Sequence, residues 1–280
     1  DDCLMYTGSE KAWPYNVRYK PAPRGHNLEV EGDNGGPLLT KILLQQVEQR
    51  GIDIHYETRA LRLIVSCHGP QQRIVGLAVR QNMQEHYFRA GRGVVLCAGG
   101  FIMNEDMVRE YCPQFLDNKT QIGNPNDTGT GIQMGLSVGG RAINMHEGFL
   151  SLPFYPPATL TFGIFVNGQG QRFINEDAYH GRIGSFLVNQ SYPVYLILNV
   201  EDYGNYETES WLQAPVVATG ESLEELVSEL DLPTGQLERT IERFNEDVSE
   251  RVDRLFHKDI SWLKTLEAPF VALDCTPGAG

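Results

Sequence analysis

The stretch G-V-V-L-C-A-G-G-F occupies Gly93–Phe101. Its apolar run without polar alternation predicts a parallel strand buried on both faces, because a helix would need a longer apolar period. Gly99 and Gly100 follow this strand, where paired glycines let the backbone turn tightly and approach a ligand. Ligands of open α/β sheets bind at the carboxyl ends of the strands. A plain turn without a ligand is the alternative interpretation, and this motif alone leaves both open.

The composition predicts a globular protein. The 280 residues are 41% hydrophobic and 10% aromatic, which allows one large domain or two ordinary ones. No apolar run reaches the roughly 18–20 residues of a membrane span, and no signal peptide opens the chain. Five scattered cysteines without C-x-x-C spacing predict a reduced, cytoplasmic chain with no metal site.

The net charge of −13 argues against nucleic acid as a partner, since phosphate binding needs clustered Lys and Arg. The basic cluster of the chain is predicted to be a solvated loop; it comprises Arg18, Lys20, Arg24 and His26.

Before the opening stretch, the pattern predicts a helix and several strands. A helix begins at Pro37 with an apolar face that is expected to cover a sheet, and it ends at Gly51. The strands follow from alternation and turn residues, and they are 52–56, Ala60–Val65, and an antiparallel pair of Arg73–Arg80 with Glu85–Ala90.

After the opening stretch, Asn104 is predicted to cap a short helix. The glycine-rich segment Gly123–Gly140 then leads into a helix with Ile132 and Leu136 facing inward and Met134 as a further inward candidate. Free backbone N–H groups at the amino end of a helix can bind a phosphate or the polar edge of a cofactor. The spacing is not G-x-G-x-x-G, so the segment is not a dinucleotide fingerprint, and an ordinary capped helix is the alternative.

The composition changes near residue 148, where prolines cluster among aromatic residues, and we place a domain boundary there. The second domain is predicted to mix strands and helices. The strands are Leu160–Asn167 and Val194–Asn199, and the helices are one capped by Ser222 with Glu225 and one from Thr234 to Val252.

The densest polar cluster lies between Arg172 and Arg182. Arg172 and Glu176 are predicted to form a charge pair that fixes the loop, which leaves Tyr179 or His180 to act on a substrate. A solvated helix start is the alternative. The sequence contains no H-E-x-x-H or P-loop motif, which argues against the common zinc proteases and NTPases.

Four motifs in a fixed order resemble the family of FAD-dependent fumarate reductases and 3-ketosteroid dehydrogenases. They are V-V-L-C-A-G-G-F at Val94, N-D-T-G-T-G-I at Asn126, G-I-F-V-N-G-Q-G-Q-R-F-I-N-E at Gly163, and the segments E-S-L-E-E-L-V-S-E-L and Q-L-E-R-T-I-E-R-F-N at Glu221 and Gln236.

The resemblance implies FAD as cofactor and an α/β fold with an α+β cap. Residues 1–147 would be a partial FAD-binding, Rossmann-like domain, and residues 148–280 a mixed-sheet substrate cap. Family members carry an N-terminal G-x-G-x-x-G segment and a C-terminal segment that this sequence does not show. We therefore expect the chain to be an internal part of a longer enzyme.

The resemblance also assigns the cofactor contacts. Ala98, Gly99 and Gly100 would lie against the flavin, and Ala60 would contact the adenosine part. The polar edge of the flavin would face Thr128, Gly129 and Thr130. Family members usually read T-G-D-G where this chain has T-G-T-G, and a hydroxyl accepts a hydrogen bond without the charge of a carboxylate.

Tyr179 decides the branch within the family. Ketosteroid dehydrogenases place a tyrosine there, whereas fumarate reductases place an arginine arrangement that clamps a dicarboxylate. The resemblance thus favours desaturation of a small apolar ketone, a steroid, and the aromatic, proline-rich segment from Phe149 suits such a substrate. Reduction of an unsaturated carboxylate, or a non-catalytic domain, are the alternatives.

Overall fold

A computed structural model of the chain describes residues 35–67, 72–116, 120–151, 158–204, 206, 214–275 and 278–279. The basic cluster from Arg18 to His26 and the proline-rich residues 152–157 lie outside these ranges. None of the described helices combines the length and apolar composition that crossing a membrane requires.

The described chain mixes helices with strands that pair mostly in antiparallel fashion. The helices are α1 (Gly35–Gln49), α2 (Glu105–Tyr111), α3 (Thr130–Ser137), α4 (His180–Leu187), α5 (Val200–Tyr203), α6 (Leu223–Glu229) and α7 (Gln236–Ser249). The strands are β1 (Thr58–Ser66), β2 (Arg73–Gln81), β3 (Gln84–Arg89), β4 (Thr120–Gln121), β5 (Leu150–Ser151), β6 (Ile164–Val166), β7 (Tyr195–Asn199), β8 (Val216–Gly220), β9 (Phe270–Asp274) and β10 (Gly278–Ala279).

The described residues divide into two compact units. The smaller unit contains residues 35–99 and Thr130–Ile143, and the larger unit contains Gly100–Gly129 and the chain from Asn144 onward. The domain boundary near residue 148 stays a prediction.

The smaller unit is built on an antiparallel sheet in the order β1–β2–β3. The hairpin between β2 and β3 turns at Asn82 and Met83, both with positive φ, which confirms the predicted antiparallel pair. Helix α1 forms as predicted, but its apolar face is not covered within the described chain: Leu39 is 49% and Leu43 55% exposed.

Two predicted strands of the smaller unit are wrong. Gly93–Phe101 has no strand structure, and Val95 is 85% exposed. Residues 52–56 are likewise irregular and exposed. The physical reason is the same for both segments: no strand of the described chain runs beside them to pair with their backbone groups.

Helix α3 forms where the glycine-rich segment predicted it, although only part of the predicted inward face is buried. Met134 and Gly131 are buried, whereas Leu136, predicted to face inward, is 37% exposed. A Cβ on Gly131 would lie 3.0 Å from the Cβ of Ala98, so the missing side chain lets the Ala98 segment approach the helix.

The larger unit is organised around a four-stranded antiparallel sheet, in which the strand order is β6–β7–β9–β8. Leu196 and Leu198 of β7 face a core that includes Ile183 and Leu187 of α4. Ile197 faces a second core, formed with side chains that include Leu237, Ile241 and Phe244 of α7. The sheet is thus covered on both faces. The predicted strand Leu160–Asn167 is shorter than expected, because Ala158–Phe162 forms a 3-10 turn before β6.

Local capping signals are confirmed. Asn104 accepts the N–H of Met107 at 3.1 Å and caps α2. Ser222 accepts the N–H of Glu225 at 3.2 Å, and the Glu225 carboxylate accepts the N–H of Glu221 at 2.9 Å. Both N-terminal caps therefore satisfy backbone N–H donors that the first turn of a helix leaves unpaired.

Candidate functional site

A buried ion pair fixes the loop that carries the polar cluster. Nε and Nη2 of Arg172 donate to Oε1 and Oε2 of Glu176 at 2.9 and 2.7 Å. The side chains are only 5% and 1% exposed. This bidentate geometry is the strongest form of an arginine–carboxylate contact, and it confirms the charge pair predicted from the sequence.

Two further charged residues, which the sequence analysis missed, complete the network. Asp253 Oδ2 lies 2.8 Å from Arg172 Nη2, and Lys258 Nζ lies 3.2 Å from Glu176 Oε2. Lys258 Nζ also donates to the carbonyl of Gly163 at 2.8 Å. Asp253 and Lys258 are distant from Arg172 along the chain, so only the tertiary fold brings them together.

Aromatic rings complete the enclosure of the Arg172 guanidinium. Its central carbon lies 5.0 Å from the ring centroid of Phe244 and 5.0 Å from that of Phe256. Cation–π contacts of this kind contribute about 2 kcal/mol when the cation is desolvated.

The network keeps its carboxylates ionised despite their burial. Burial alone raises the pKa of Glu176, but the charges of Arg172 and Lys258 outweigh it and hold that pKa below its usual value. Burial also raises the pKa of Asp253, and the neighbouring Arg172 again outweighs it, so the net shift is downward. Burial lowers the pKa of Lys258, which Glu176 opposes only in part. We infer that Glu176 is an anchor for the loop.

The anchored loop leads to Tyr179, which immediately precedes α4. The carbonyl of Tyr179 accepts the N–H groups of Arg182 and Ile183 at 2.8 and 3.0 Å. Its side chain is 39% exposed, and its ring centroid lies 6.1 Å from that of Phe149. A Cβ on Gly181 would lie 2.6 Å from the Phe149 ring, so glycine at this position allows the two rings to approach.

His180, the other candidate for the reaction, is the first residue of α4. Its side chain lies outside the described part of the structure. The roles of Tyr179 and His180 therefore stay predictions.

A pocket of about 330 Å³ opens in the larger unit beside Phe149. This volume is within the usual range for small-molecule sites. Among the described residues that line it, Asp127 and Glu147 are acidic and none is basic. The remaining lining is mostly apolar and comprises Gly100, Phe101, Ile102, Val108, Cys112, Phe115, Ile122, Gly148 and Phe149.

The glycine motifs predicted to contact the cofactor are held by short hydrogen bonds. In the larger unit, the N–H of Gly129 donates to the carbonyl of Gly100 at 2.8 Å, and Asn104 Nδ2 donates to the carbonyl of Thr128 at 2.9 Å. Gly129 has φ 74°, and a Cβ there would lie 2.3 Å from the sulfur of Met107. Only glycine fits this position.

In the smaller unit, the helix and the strand that carry two other predicted cofactor contacts pack against each other. Thr130 begins α3, which packs against β1, the strand that contains Ala60. Ala98 lies against Gly131 of the same helix.

The residues present fit part of a flavin site. Gly99 has φ 72°, and a Cβ on Gly100 would meet no heavy atom within 4 Å, so the described chain leaves the space beside this glycine open. The first turn of α3 has no acidic residue, which leaves its amino end favourable for an electron-rich group. The sequence contains no G-x-G-x-x-G to hold a diphosphate.

A protein-family profile described as "FAD binding domain" matches residues 17–279. The chain belongs to this family of FAD-binding domains. Its relatives include fumarate reductases and 3-oxosteroid 1-dehydrogenases, as the sequence motifs predicted, and its cofactor is FAD.

NADH:acrylate oxidoreductase of Vibrio harveyi is 27% identical over 256 residues, which cover 84% of this chain and 25% of that protein. 3-Oxosteroid 1-dehydrogenase of Mycolicibacterium smegmatis is 26% identical over 220 residues, covering 66% of this chain and 39% of that protein. The chain thus spans less than half the length of these curated relatives.

Among solved structures, the chain is similar to a 3-ketosteroid-delta4-(5alpha)-dehydrogenase from Rhodococcus jostii RHA1 in complex with 4-androstene-3,17-dione. The TM-score is 0.87 at 31% identity, and the match covers 98% of this chain and 59% of that chain. The predicted α/β flavoenzyme fold is therefore confirmed.

Proposed function

We propose that this protein is part of an FAD-dependent oxidoreductase that introduces a carbon–carbon double bond into a 3-ketosteroid-like substrate. The observation that carries this proposal is the pocket beside Phe149, whose described lining is apolar and acidic. The 31% identity to a steroid-binding dehydrogenase over 98% of the chain supports it.

The charges of the pocket favour a neutral substrate. Asp127 and Glu147 would repel a dicarboxylate, and no described lining residue supplies a positive charge to offset that repulsion. A flat apolar ketone would instead gain from burial against Phe149 and the other apolar side chains.

In this proposal Tyr179 acts on the ketone oxygen. A tyrosine phenol donates a hydrogen bond at neutral pH, and it would stabilise the negative charge that develops on that oxygen as the neighbouring proton leaves. Such a hydrogen-bond donor stabilises the transition state by about 3 kcal/mol. The ion network anchors Tyr179 through Glu176, three residues earlier, and the ring of Phe149 packs against the tyrosine.

FAD, when bound, supplies the acceptor for the hydride. The residues that would hold it are those of the two glycine motifs and β1, namely Ala60, Ala98, Gly99, Gly100, Thr128, Gly129 and Thr130. The glycines among them let the backbone approach the flavin closely, and the N–H groups at the start of α3 would face its polar edge.

A second candidate is the reduction of an unsaturated carboxylate. The relatives named NADH:acrylate oxidoreductase and probable fumarate reductase favour it, at 27% and 24% identity. It would require a cationic group to hold the carboxylate, and such a group would have to come from outside the described lining of the pocket beside Phe149.

The test compares oxidation of a saturated 3-ketosteroid, with an artificial electron acceptor present, with reduction of fumarate by a reduced dye as electron donor, in the full-length protein loaded with FAD. We expect turnover of the steroid, a loss of about a hundredfold or more in Tyr179→Phe with FAD still bound, and a much smaller loss in His180→Ala. Tyr56→Phe is the matched control, because Tyr56 is 69% exposed in the smaller unit.

Fumarate turnover without steroid turnover would contradict the proposed reaction. A larger loss in His180→Ala than in Tyr179→Phe would show that the histidine is the catalytic residue.

A further inference from the structure

A second pocket, of about 240 Å³, lies beside α7 in the larger unit. The proposed oxidoreductase reaction does not use it. The charged residues that line it are three arginines and two aspartates, namely Arg172, Arg239, Arg243, Asp247 and Asp253.

Both aspartates already have partners. Asp247 accepts from the Nη1 of Arg254 at 2.5 Å and from the backbone N–H of Arg254 at 2.9 Å. Asp253 contacts Arg172 at 2.8 Å and accepts the backbone N–H groups of Phe256 and Lys258 at 3.2 and 3.1 Å. Each aspartate is therefore already engaged in contacts within the chain.

Among the described residues, Arg239 and Arg243 have no such partner. They lie one turn apart on α7, and within the described chain neither forms an ion pair or a side-chain hydrogen bond. Two like charges at this spacing repel each other and destabilise a helix by a few tenths of a kcal/mol. An anion in the pocket would remove this repulsion.

Arg172 provides a third donor at the floor of the pocket. Its Nε and Nη2 are taken by Glu176 and Asp253, whereas none of the described residues accepts from its Nη1. The side chain is only 5% exposed, and Arg172 is one of the residues that line the pocket.

We propose that this pocket binds a phosphate-type oxyanion, held by Arg239, Arg243 and Nη1 of Arg172. Guanidinium groups present paired N–H donors that match the oxygens of such an anion, and the fixed orientation of Arg172 lowers the entropy lost on binding. Because Arg172 also holds Glu176, the anion would stabilise the loop that leads to Tyr179.

The pocket can be tested by isothermal titration of the 280-residue chain with sodium phosphate, with sodium chloride at equal ionic strength as reference. We expect saturable phosphate binding that weakens about tenfold in Arg239→Gln and in Arg243→Gln, because each variant removes one charge-assisted contact. Both residues are exposed, so the fold is expected to survive, which circular dichroism checks.

Arg141→Gln is the matched control, since it removes the same charge from an exposed, irregular position in the smaller unit. It should leave binding unchanged. A parallel titration with glycerol phosphate distinguishes two possible ligands. Tighter binding of this phosphate monoester indicates a phosphorylated metabolite, and tighter binding of inorganic phosphate indicates the free ion. No saturable binding, or an equal loss in Arg141→Gln, would overturn the proposal.

Discussion

Two apolar stretches of this chain have different environments in the structure. Tyr195–Asn199 forms β7 with every residue buried, whereas Val94–Gly100 is irregular and mostly exposed. The difference lies in the neighbours, because β7 is hydrogen-bonded to β6 on one side and β9 on the other. An apolar pattern indicates that a segment gains from burial; it does not identify what covers it.

The exposed stretch is also the one that we propose lies against FAD. Its positive φ at Gly99 and the open space at Gly100 are properties of a backbone shaped for close approach. The buried sheet and the ion network, by comparison, consist of contacts within the larger unit itself. This contrast predicts that substitutions in the buried sheet and ion network lower stability, whereas substitutions in the exposed stretch lower FAD binding.

The largest expected effect comes from breaking the buried ion network. Glu176→Ala should lower the free energy of unfolding of the larger unit by about 3–5 kcal/mol, because it leaves Arg172 and Lys258 buried without their carboxylate. Urea unfolding followed by near-ultraviolet circular dichroism measures it. Glu242→Ala, an exposed position on α7, is the control. A loss under about 1 kcal/mol would contradict a structural role for the network.

Lowering the pH weakens the same ion network gradually, because it protonates Glu176 and Asp253. The folded-state pKa values of Glu176 and Asp253 are depressed, so their contribution is complete above the unfolded value of about 4 and is lost as the pH falls through the folded values. Acid should therefore destabilise the wild-type larger unit more steeply than it destabilises Glu176→Gln. Equal acid slopes would show that the Glu176 carboxyl is not coupled to folding.

A pair of leucine substitutions, one in each apolar stretch, compares the two stretches directly and should have smaller effects. Leu198→Ala in β7 should cost about 2–5 kcal/mol, because it leaves a cavity in a fully buried core. Leu96→Ala removes the same atoms from a side chain that is 41% exposed and should cost no more than about 0.5 kcal/mol. Urea unfolding of both variants gives the difference, and equal losses would show that residue 96 is buried in solution.

Local signals were the most reliable part of the sequence analysis. The caps at Asn104 and Ser222 and the antiparallel pair of β2 with β3 are correct, because each depends on residues only a few positions apart. The bidentate Arg172–Glu176 pair is correct for the same reason.

Features that depend on distant partners were not predictable. The strand expected at Gly93–Phe101 needs a neighbour that the pattern of the segment does not reveal. Asp253 and Lys258 were missed because no local motif connects them to Glu176. On α3, the choice between Met134 and Leu136 as the inward residue depended on which face meets the rest of the unit.

The measurement that tests the account most directly is a titration of the 280-residue chain with FAD, followed by flavin fluorescence. The chain carries the exposed glycine backbone but no G-x-G-x-x-G for the diphosphate, so we predict a Kd weaker than about 1 μM, with binding lost in Gly99→Val. Tight, stoichiometric FAD that persists in Gly99→Val would contradict the claim that this exposed stretch is the flavin contact.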